Sequence, residues 1–396
     1  MQVRELTVDD LPAAWDLGRL AFGSAATSAP EDALVPHPGV ITRYGAFDAD
    51  GRLLGRAIDV HDEQWWAGRR LVAADVGGVA VLPEARGRGV ARALLTALLA
   101  GARERGAAVS ALFPTVAAPY RSCGWEVGGS LRTVDLPTAA LARHRPAEGY
   151  RVRPGDKADL PAVRDLYAEL ARHRCGLLTR VGGRFDRLAD NGLPEGIDGL
   201  TVVERDGRLV GYTLWERGEG YDHRAVLTVD DIQAADAGAA RELIGVLASW
   251  RSVAPTLRLR PPAFDAVVAQ LPVEATREHR QQTWMHRPVD VVRAVEGRGW
   301  PRYASGSLDF GLDDPIAPWN SGSWRLTLAD GAATLRRLPD EVPLRLSVRG
   351  FALLYTGAAD AAAVLAAGLA EAGAGADPTA LDLLAAGPRA ELLDYF

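Results

Sequence analysis

The sequence predicts an α+β chain of two like domains, followed by an α/β segment built on another plan. Three observations carry this. A block near the N-terminus recurs 149 positions later: Val3-Arg4, Asp10-Leu11-Pro12-Ala13 and Asp16-Leu17 are answered by Val152-Arg153, Asp159-Leu160-Pro161-Ala162 and Asp165-Leu166. An Asp-Gly turn between apolar runs, a strong hairpin signal, stands in both copies: Asp50-Gly51-Arg52-Leu53-Leu54-Gly55 and Asp206-Gly207-Arg208-Leu209-Val210-Gly211. After Arg287-Pro288-Val289-Asp290 the repetition ends. A chain of 396 residues exceeds one core, and we place the domains at 1–146, 147–286 and 287–396.

Each copy opens with a short strand, an Asp-initiated turn and a helix with Pro in its first turn. The hairpin follows, then a long strand, a helix and further strands. In the first copy a strand over 76–81 leads through a Pro-containing turn to a helix over 91–106, with Leu94, Leu95, Leu98 and Leu99 on one face. Residues 109–113 read as a buried strand, followed by a short helix. Trp65-Trp66 precedes a hairpin tip at Ala67-Gly68 and either walls a cleft or packs against a neighbouring subunit. In the last segment 308–311, 323–328 and 342–348 read as strands, with a turn at Ala329-Asp330-Gly331-Ala332. Helices over 359–372 and 378–386 lead to the tail Leu392-Leu393-Asp394-Tyr395-Phe396.

Composition narrows the function. The formal net charge is −6 and no polybasic run exists, so nucleic acid is not an expected partner. The charged N-terminus lacks the apolar stretch of a secretory signal, and no run is long enough to span a membrane. Two cysteines, Cys123 and Cys175, make no disulfide framework; reduced thiols in a cytoplasmic protein fit them. Seven scattered histidines and no Cys/His cluster give no metal site.

The chemistry lies in Arg86-Gly87-Arg88-Gly89-Val90-Ala91, between an apolar strand and an apolar helix. Glycines at a helix start let backbone N–H groups approach a ligand, and the helix dipole favours an anion there. Arginine adds charge-assisted bonds to phosphate. At the same offset the second copy has Ala235, Asp236, Ala237 and Gly238. It keeps the helix face (Leu243, Ile244, Leu247) but puts an aspartate where the anion would sit.

The pattern Arg-x-x-Gly-x-Ala resembles the acyl-CoA loop of the GCN5-related N-acetyltransferases. The resemblance implies that Val79, Ala80 and Val81 pair with the pantetheine arm of acetyl-CoA. Residues Arg86 to Ala91 would hold its pyrophosphate. Downstream, Tyr120-Arg121-Ser122-Cys123-Gly124-Trp125 resembles that family's Tyr-x-x-x-Gly-aromatic segment. It implies Tyr120 as the acid that protonates the departing thiolate, a task a phenol can perform.

Over the whole chain the order of domains resembles the Eis (enhanced intracellular survival) family, whose last domain is sterol-carrier-protein-like. Asp314-Pro315-Ile316-Ala317-Pro318-Trp319-Asn320-Ser321-Gly322-Ser323-Trp324-Arg325-Leu326, Arg287-Pro288-Val289-Asp290 and the terminal phenylalanine carry that likeness. It implies two tandem GNAT-fold domains, the second degenerate, and a homo-hexamer built as a trimer of dimers. It further implies the α-carboxylate of Phe396 as the base. A free α-carboxylate, with a pKa of about 3.5, is a weak base in water, and burial beside the acceptor channel would raise it. The acceptor would be a primary amine of a cationic small molecule, aminoglycoside- or polyamine-like, or a lysine side chain. Glu31, with Asp32 beside it, would receive the amine. Gly78, where relatives often carry an aromatic, implies a roomier pocket, and Tyr395 replaces a glutamate near the end. The alternative is a non-catalytic acyl-CoA- or lipid-binding protein.

Overall fold

The computed structural model describes residues 1–141 and 147–396. They form two compact units. One comprises Met1–Gly129, Arg174–Thr179 and Thr283–Phe396; the other comprises Ser130–His173 and Arg180–Gln282. The first repeat supplies β1 (Gln2–Glu5), α1 (Leu11–Phe22), β2 (Ile41–Phe47), β3 (Leu53–Trp66), β4 (Arg69–Val81), α2 (Val90–Glu104), β5 (Val109–Leu112), α3 (Ala117–Arg121) and β6 (Glu126–Pro137). The second supplies β7 (Tyr150–Gly155), α4 (Leu160–Ala171), β8 (Cys175–Leu178), β9 (Gly199–Arg205), β10 (Arg208–Arg217), β11 (Val226–Ala234), α5 (Ala237–Ser249), β12 (Thr256–Leu259) and β13 (Arg277–Pro288). The remainder holds α6 (Val291–Gly297), β14 (Gly306–Asp313), β15 (Gly322–Ala329), β16 (Ala332–Leu338), β17 (Leu344–Ser347), α7 (Val348–Tyr355), α8 (Ala361–Ala366) and β18 (Ala370–Ala372).

The residues that made the repeat visible perform one task twice. Arg4 donates to Asp10 at 2.6 and 3.0 Å, and Arg153 to Asp159 at 2.8 and 2.6 Å. Each bidentate pair ties the opening strand to the turn before the Pro-started helix. The hairpin tips also match expectation: Gly51 and Gly207 take φ of 78° and 75°, the left-handed region that glycine enters freely.

In the first unit β1, β2, β3 and β4 pair antiparallel in that order, and β5 joins β4 in parallel. The strand that pairs with β5 on its other side is β13, from the second repeat, with Met285 opposite Leu112. The second unit runs β7, β9, β10, β11, β12 in the same sense, and β12 pairs antiparallel with β6, from the first repeat. The two copies thus exchange their closing strands. One face of the first sheet is covered by α2, whose Leu94, Leu95, Leu98 and Leu99 are fully buried. Burial of each stabilises by about 2 kcal/mol. Gly55 and Gly101 make room beneath this helix: a Cβ on Gly55 would meet Val90 at 2.8 Å, and one on Gly101 the Tyr44 hydroxyl at 2.1 Å.

The last segment forms a five-stranded sheet, β16-β15-β14-β17-β18. Here three expectations are corrected. The strand expected over 342–348 ends at Ser347, whose hydroxyl accepts from the Gly350 amide and starts α7. The helix expected over 359–372 stops at Ala366, because Gly368 turns left-handed at φ 65° and the chain continues as β18. The 378–386 helix is a shorter 3-10 turn, Pro378–Leu383. Among the described residues, no helix is long and apolar enough to cross a membrane.

Candidate active site

β4 and β5 are paired only where Ala73, Ala74, Asp75 and Val76 face Val109, Ser110, Ala111 and Leu112. Beyond Val76 the register of β4 against β3 slips: Ile58 faces Gly77, but Arg56 faces Ala80. Gly78, at φ 57°, sits in this bulge. β4 then follows β3 to Val81, while β5 ends at Leu112. Among the described residues, the edge of Val79, Ala80 and Val81 that would face β5 has no strand partner, as an extended ligand arm requires.

The turn after β4 carries the arginine loop. Gly87 and Gly89 take φ of 75° and 78°, and a Cβ on either would meet nothing within 4 Å. Gly89 is the N-cap of α2, and no side chain caps the helix. The first amides of α2 therefore have no intrahelical acceptor and point outward with the positive end of the dipole. Arg86 and Arg88 are exposed and have no ion pair among the described residues. Arg92 donates to the Ser122 carbonyl at 2.9 Å. This donor set fits a pyrophosphate.

The second repeat has closed the same position. Asp236 is the N-cap of α5 and accepts from the Ala239 amide at 2.8 Å. The Tyr150 hydroxyl donates to the same carboxylate at 2.9 Å, and Arg205 stands 3.5 Å away. A Cβ on Gly238 would lie 2.3 Å from Tyr150, so the ring covers the helix start. The constant offset aligned Asp236 with Gly87. In the fold α5 begins two residues earlier by that count, so Asp236 takes the cap position held by Gly89 in the first repeat. At the bulge of β11, between Val229 and Asp231, a buried network stands: Tyr212 donates to Asp231 at 2.5 Å, Gln233 donates at 3.1 Å, and Arg180 pairs with the same carboxylate.

Tyr120 lies on α3, partly buried, its ring edge-on to Trp125 at 6.4 Å. Burial, with a smaller contribution from Cys123, pushes its phenol up to about 12. Trp125 is held by its indole N–H to Ser110 Oγ at 3.3 Å. Two ion-pair systems, each built on a buried acid, fix the turn after Tyr120. Glu126 accepts from Arg121 at 2.9 Å and from Arg349 at 2.5 Å. Arg287, fully buried, pairs with Asp314 at 2.5 Å and donates to the Cys123 carbonyl. Asp314 also accepts from Asn320 at 2.9 Å, while Trp319 and Asn320 donate to the Val289 carbonyl at 2.8 and 3.2 Å. The two sequence motifs around 287 and 314 are thus one clamp.

The C-terminus reaches the end of β5. The ring of Phe113, the residue after that strand, meets Tyr395 at 4.8 Å and Phe396 at 5.3 Å. The tail is guided by residues 174–176, of which the sequence singled out only Cys175, and only as a reduced thiol. Arg174 pairs with Glu391 at 2.9 Å, and the Glu391 amide donates to the Cys175 carbonyl at 2.9 Å. A Cβ on Gly176 would lie 2.6 Å from the Glu391 carbonyl, so only glycine admits the tail so closely. Leu392 is buried as its anchor.

Other expected positions fare differently. Glu31 begins an exposed 3-10 turn, Glu31–Leu34. Trp66 neither walls the cleft nor awaits a subunit: it is fully buried, with its N–H on Gln64 at 3.1 Å and its ring 4.6 Å from that of Tyr355. Among the described residues no metal-binding group of side chains exists.

Comparison with known proteins bears on the fold and on the class of enzyme. The acetyltransferase (GNAT) domain family matches residues 2–128, and a second acetyltransferase (GNAT) family matches 176–294. The sterol carrier protein domain family matches 291–391. A protein named as an N-acetyltransferase from Streptomyces avermitilis is 29% identical over 385 residues, 92% of each chain. Another from Streptomyces coelicolor is 28% identical, covering 76% of this chain and 75% of its own length. The crystal structure of a GCN5-related N-acetyltransferase from Kribbella flavida superposes with a TM-score of 0.85 at 29% identity, covering all of this chain and 98% of its own. Eis1 from Mycobacterium abscessus shares the fold, with a TM-score of 0.76 at 21% identity and full coverage of both chains.

Proposed function

We propose that this chain, a GNAT-fold N-acetyltransferase, moves the acetyl group of acetyl-CoA to a primary amine at the first domain only. The observation that carries the reading is the open, uncapped start of α2 beside Arg86 and Arg88, against the start of α5 filled by Asp236 and Tyr150. Acetyl-CoA supplies an activated acyl group on a sulfur leaving group. Residues Arg86 to Ala91 hold its pyrophosphate, and the free edge of Val79, Ala80 and Val81 holds its arm. The Phe396 carboxylate takes a proton from the bound ammonium. The amine nitrogen then bonds to the carbonyl carbon, the carbon–sulfur bond breaks, and Tyr120 gives its proton to the sulfur. The second proton that the nitrogen sheds as the amide forms returns to the phenolate, and the carboxylate releases the first to solvent, so the products are an N-acetylamine, the free thiol and one proton.

The acceptor class implied by the Eis likeness is a cationic amine, aminoglycoside- or polyamine-like, or a lysine side chain, with Glu31, Gly78 and Tyr395 lining its path. A cytoplasmic trimer of dimers goes with the same likeness, and light scattering checks the assembly. The cavity of about 380 Å³ in the last domain mixes charged residues (Asp313, Glu341, Arg345, Glu371) with apolar ones (Leu312, Val342, Leu346, Leu369), a lining that does not single out an acyl chain.

Thiol release from acetyl-CoA with a panel of amines tests the reading. Tyr120→Phe is expected to lower kcat by about 10²-fold, the range of a lost general acid, with little change in the KM for acetyl-CoA. Because burial pushes Tyr120 up to about 12, it keeps its proton through the working range. No alkaline limb from this group is expected below about pH 11. A limb near the ordinary phenol value of about 10 that disappears in Tyr120→Phe would contradict the raised value, and a kcat unmoved by Tyr120→Phe would contradict the acid role.

A further inference from the structure

Arg56, on β3, is a guanidinium without a counter-ion. Its neighbour Gly55 turns to Val90 and Leu94 beneath α2. Arg56 therefore lies on the opposite face, under α1, where a Cβ on Gly18 would be 2.2 Å from its Nη2. It also reaches the bulge, since a Cβ on Gly78 would be 3.4 Å from the same nitrogen. Two glycines thus make space for this one group. Among the described residues Arg56 makes no hydrogen bond and no ion pair, and its Nε is buried without an acceptor. The charge that acts on it is Arg43, which repels it. Arg43 is itself engaged, donating to the Val35 carbonyl at 3.1 Å and drawn to Asp32.

A guanidinium cannot shed its proton to escape such a place. A partly buried charge with no partner is held at a cost, whereas one that awaits an anion becomes a strong, oriented donor. The nucleotide of acetyl-CoA is assigned to the α2 side, where Arg86 and Arg88 stand. The α1 side at the bulge is left for the second substrate. We infer that Arg56 is the counter-ion of a carboxylate on the acceptor, which is accordingly an amino-acid-like molecule bearing amine and carboxylate together, rather than a polyamine. This rests on the proposed transfer reaction and narrows its acceptor.

Two matched pairs test it on the full-length protein. In thiol release, L-lysine is compared with cadaverine, which differs by the carboxylate alone. In calorimetry with CoA present, 6-acetamidohexanoate is compared with N-hexylacetamide, a product pair needing no turnover. The carboxylate member is expected to be favoured by at least about tenfold in both, and the preference to vanish in Arg56→Gln and persist in part in Arg56→Lys. Removing an unpaired charge should leave the Tm of Arg56→Gln unchanged or raised, so loss of preference cannot be blamed on unfolding. Equal binding of the acid and its neutral partner, no binding of either, or a preference that survives Arg56→Gln overturns the inference. Carboxylate-dependent binding without turnover of any amine instead overturns the transfer reading while the Arg56 site stands.

Discussion

Removing Phe396 is expected to lower kcat by about 10²–10³-fold and to leave the KM for acetyl-CoA within about twofold. Deletion does not abolish a terminal carboxylate; it moves it to Tyr395, back by the spacing of one residue, about 3.8 Å. Displacement on that scale suffices to cost about two orders of magnitude when a group must touch the reacting proton. The tail is positioned for such sensitivity. Arg174 and the Cys175 carbonyl hold Glu391, Leu392 is buried, and both terminal rings rest on Phe113. Adding one glycine after Phe396 moves the carboxylate the other way while keeping the ring. It should do comparable harm, which separates a role for the carboxylate from one for the aromatic ring. Steady-state rates within about threefold of the parent for both variants would remove Phe396 from the mechanism.

The second large effect is on stability. Asp314→Ala is expected to destabilise the chain by about 3–5 kcal/mol, measured by chemical denaturation, because it strands the fully buried Arg287. The same change frees Asn320 from one partner and loosens the segment whose Cys123 carbonyl Arg287 holds, three residues beyond Tyr120. Activity should therefore fall even in the fraction that remains folded, whereas a surface pair such as Arg325 with Asp309 would cost about 1 kcal/mol or less. Asp314→Asn, which keeps one acceptor oxygen, should lie between. A loss below about 1 kcal/mol in Asp314→Ala would mean that the clamp is not structural.

Much of the molecule was legible because local chemistry and tertiary role coincide. The Val-Arg and Asp-Leu-Pro-Ala blocks were readable as a repeat because each forms its own ion pair and helix start. The Arg-Gly-Arg-Gly turn stood out in the sequence because its arginines are missing at the matching offset of the second copy, and the positive φ of Gly87 and Gly89 follows from the turn it makes. The partner of β5 was not legible: strand exchange between copies is a matter of which equivalent edge a strand reaches, and β6 and β13 carry no mark of it. Nor were residues 174–176, whose role is to receive a tail more than 200 positions away. The over-long helix after 359 came from alanine content, which outweighed the single left-handed Gly368. Arg56 left no trace at all, since an unpaired charge is visible only once its surroundings are known.

The central claim is that one of two duplicated domains holds the nucleotide. Titrating CoA into the full-length chain by calorimetry tests it most directly, with Gly89→Asp placing a carboxylate at the cap that Asp236 occupies in the second domain and Gly89→Asn as the control that carries the same strain at φ 78° without the charge. The expected result is one site per chain, weakened by about 30-fold or more in Gly89→Asp. Two sites per chain, or an affinity unmoved by Gly89→Asp, would contradict the account.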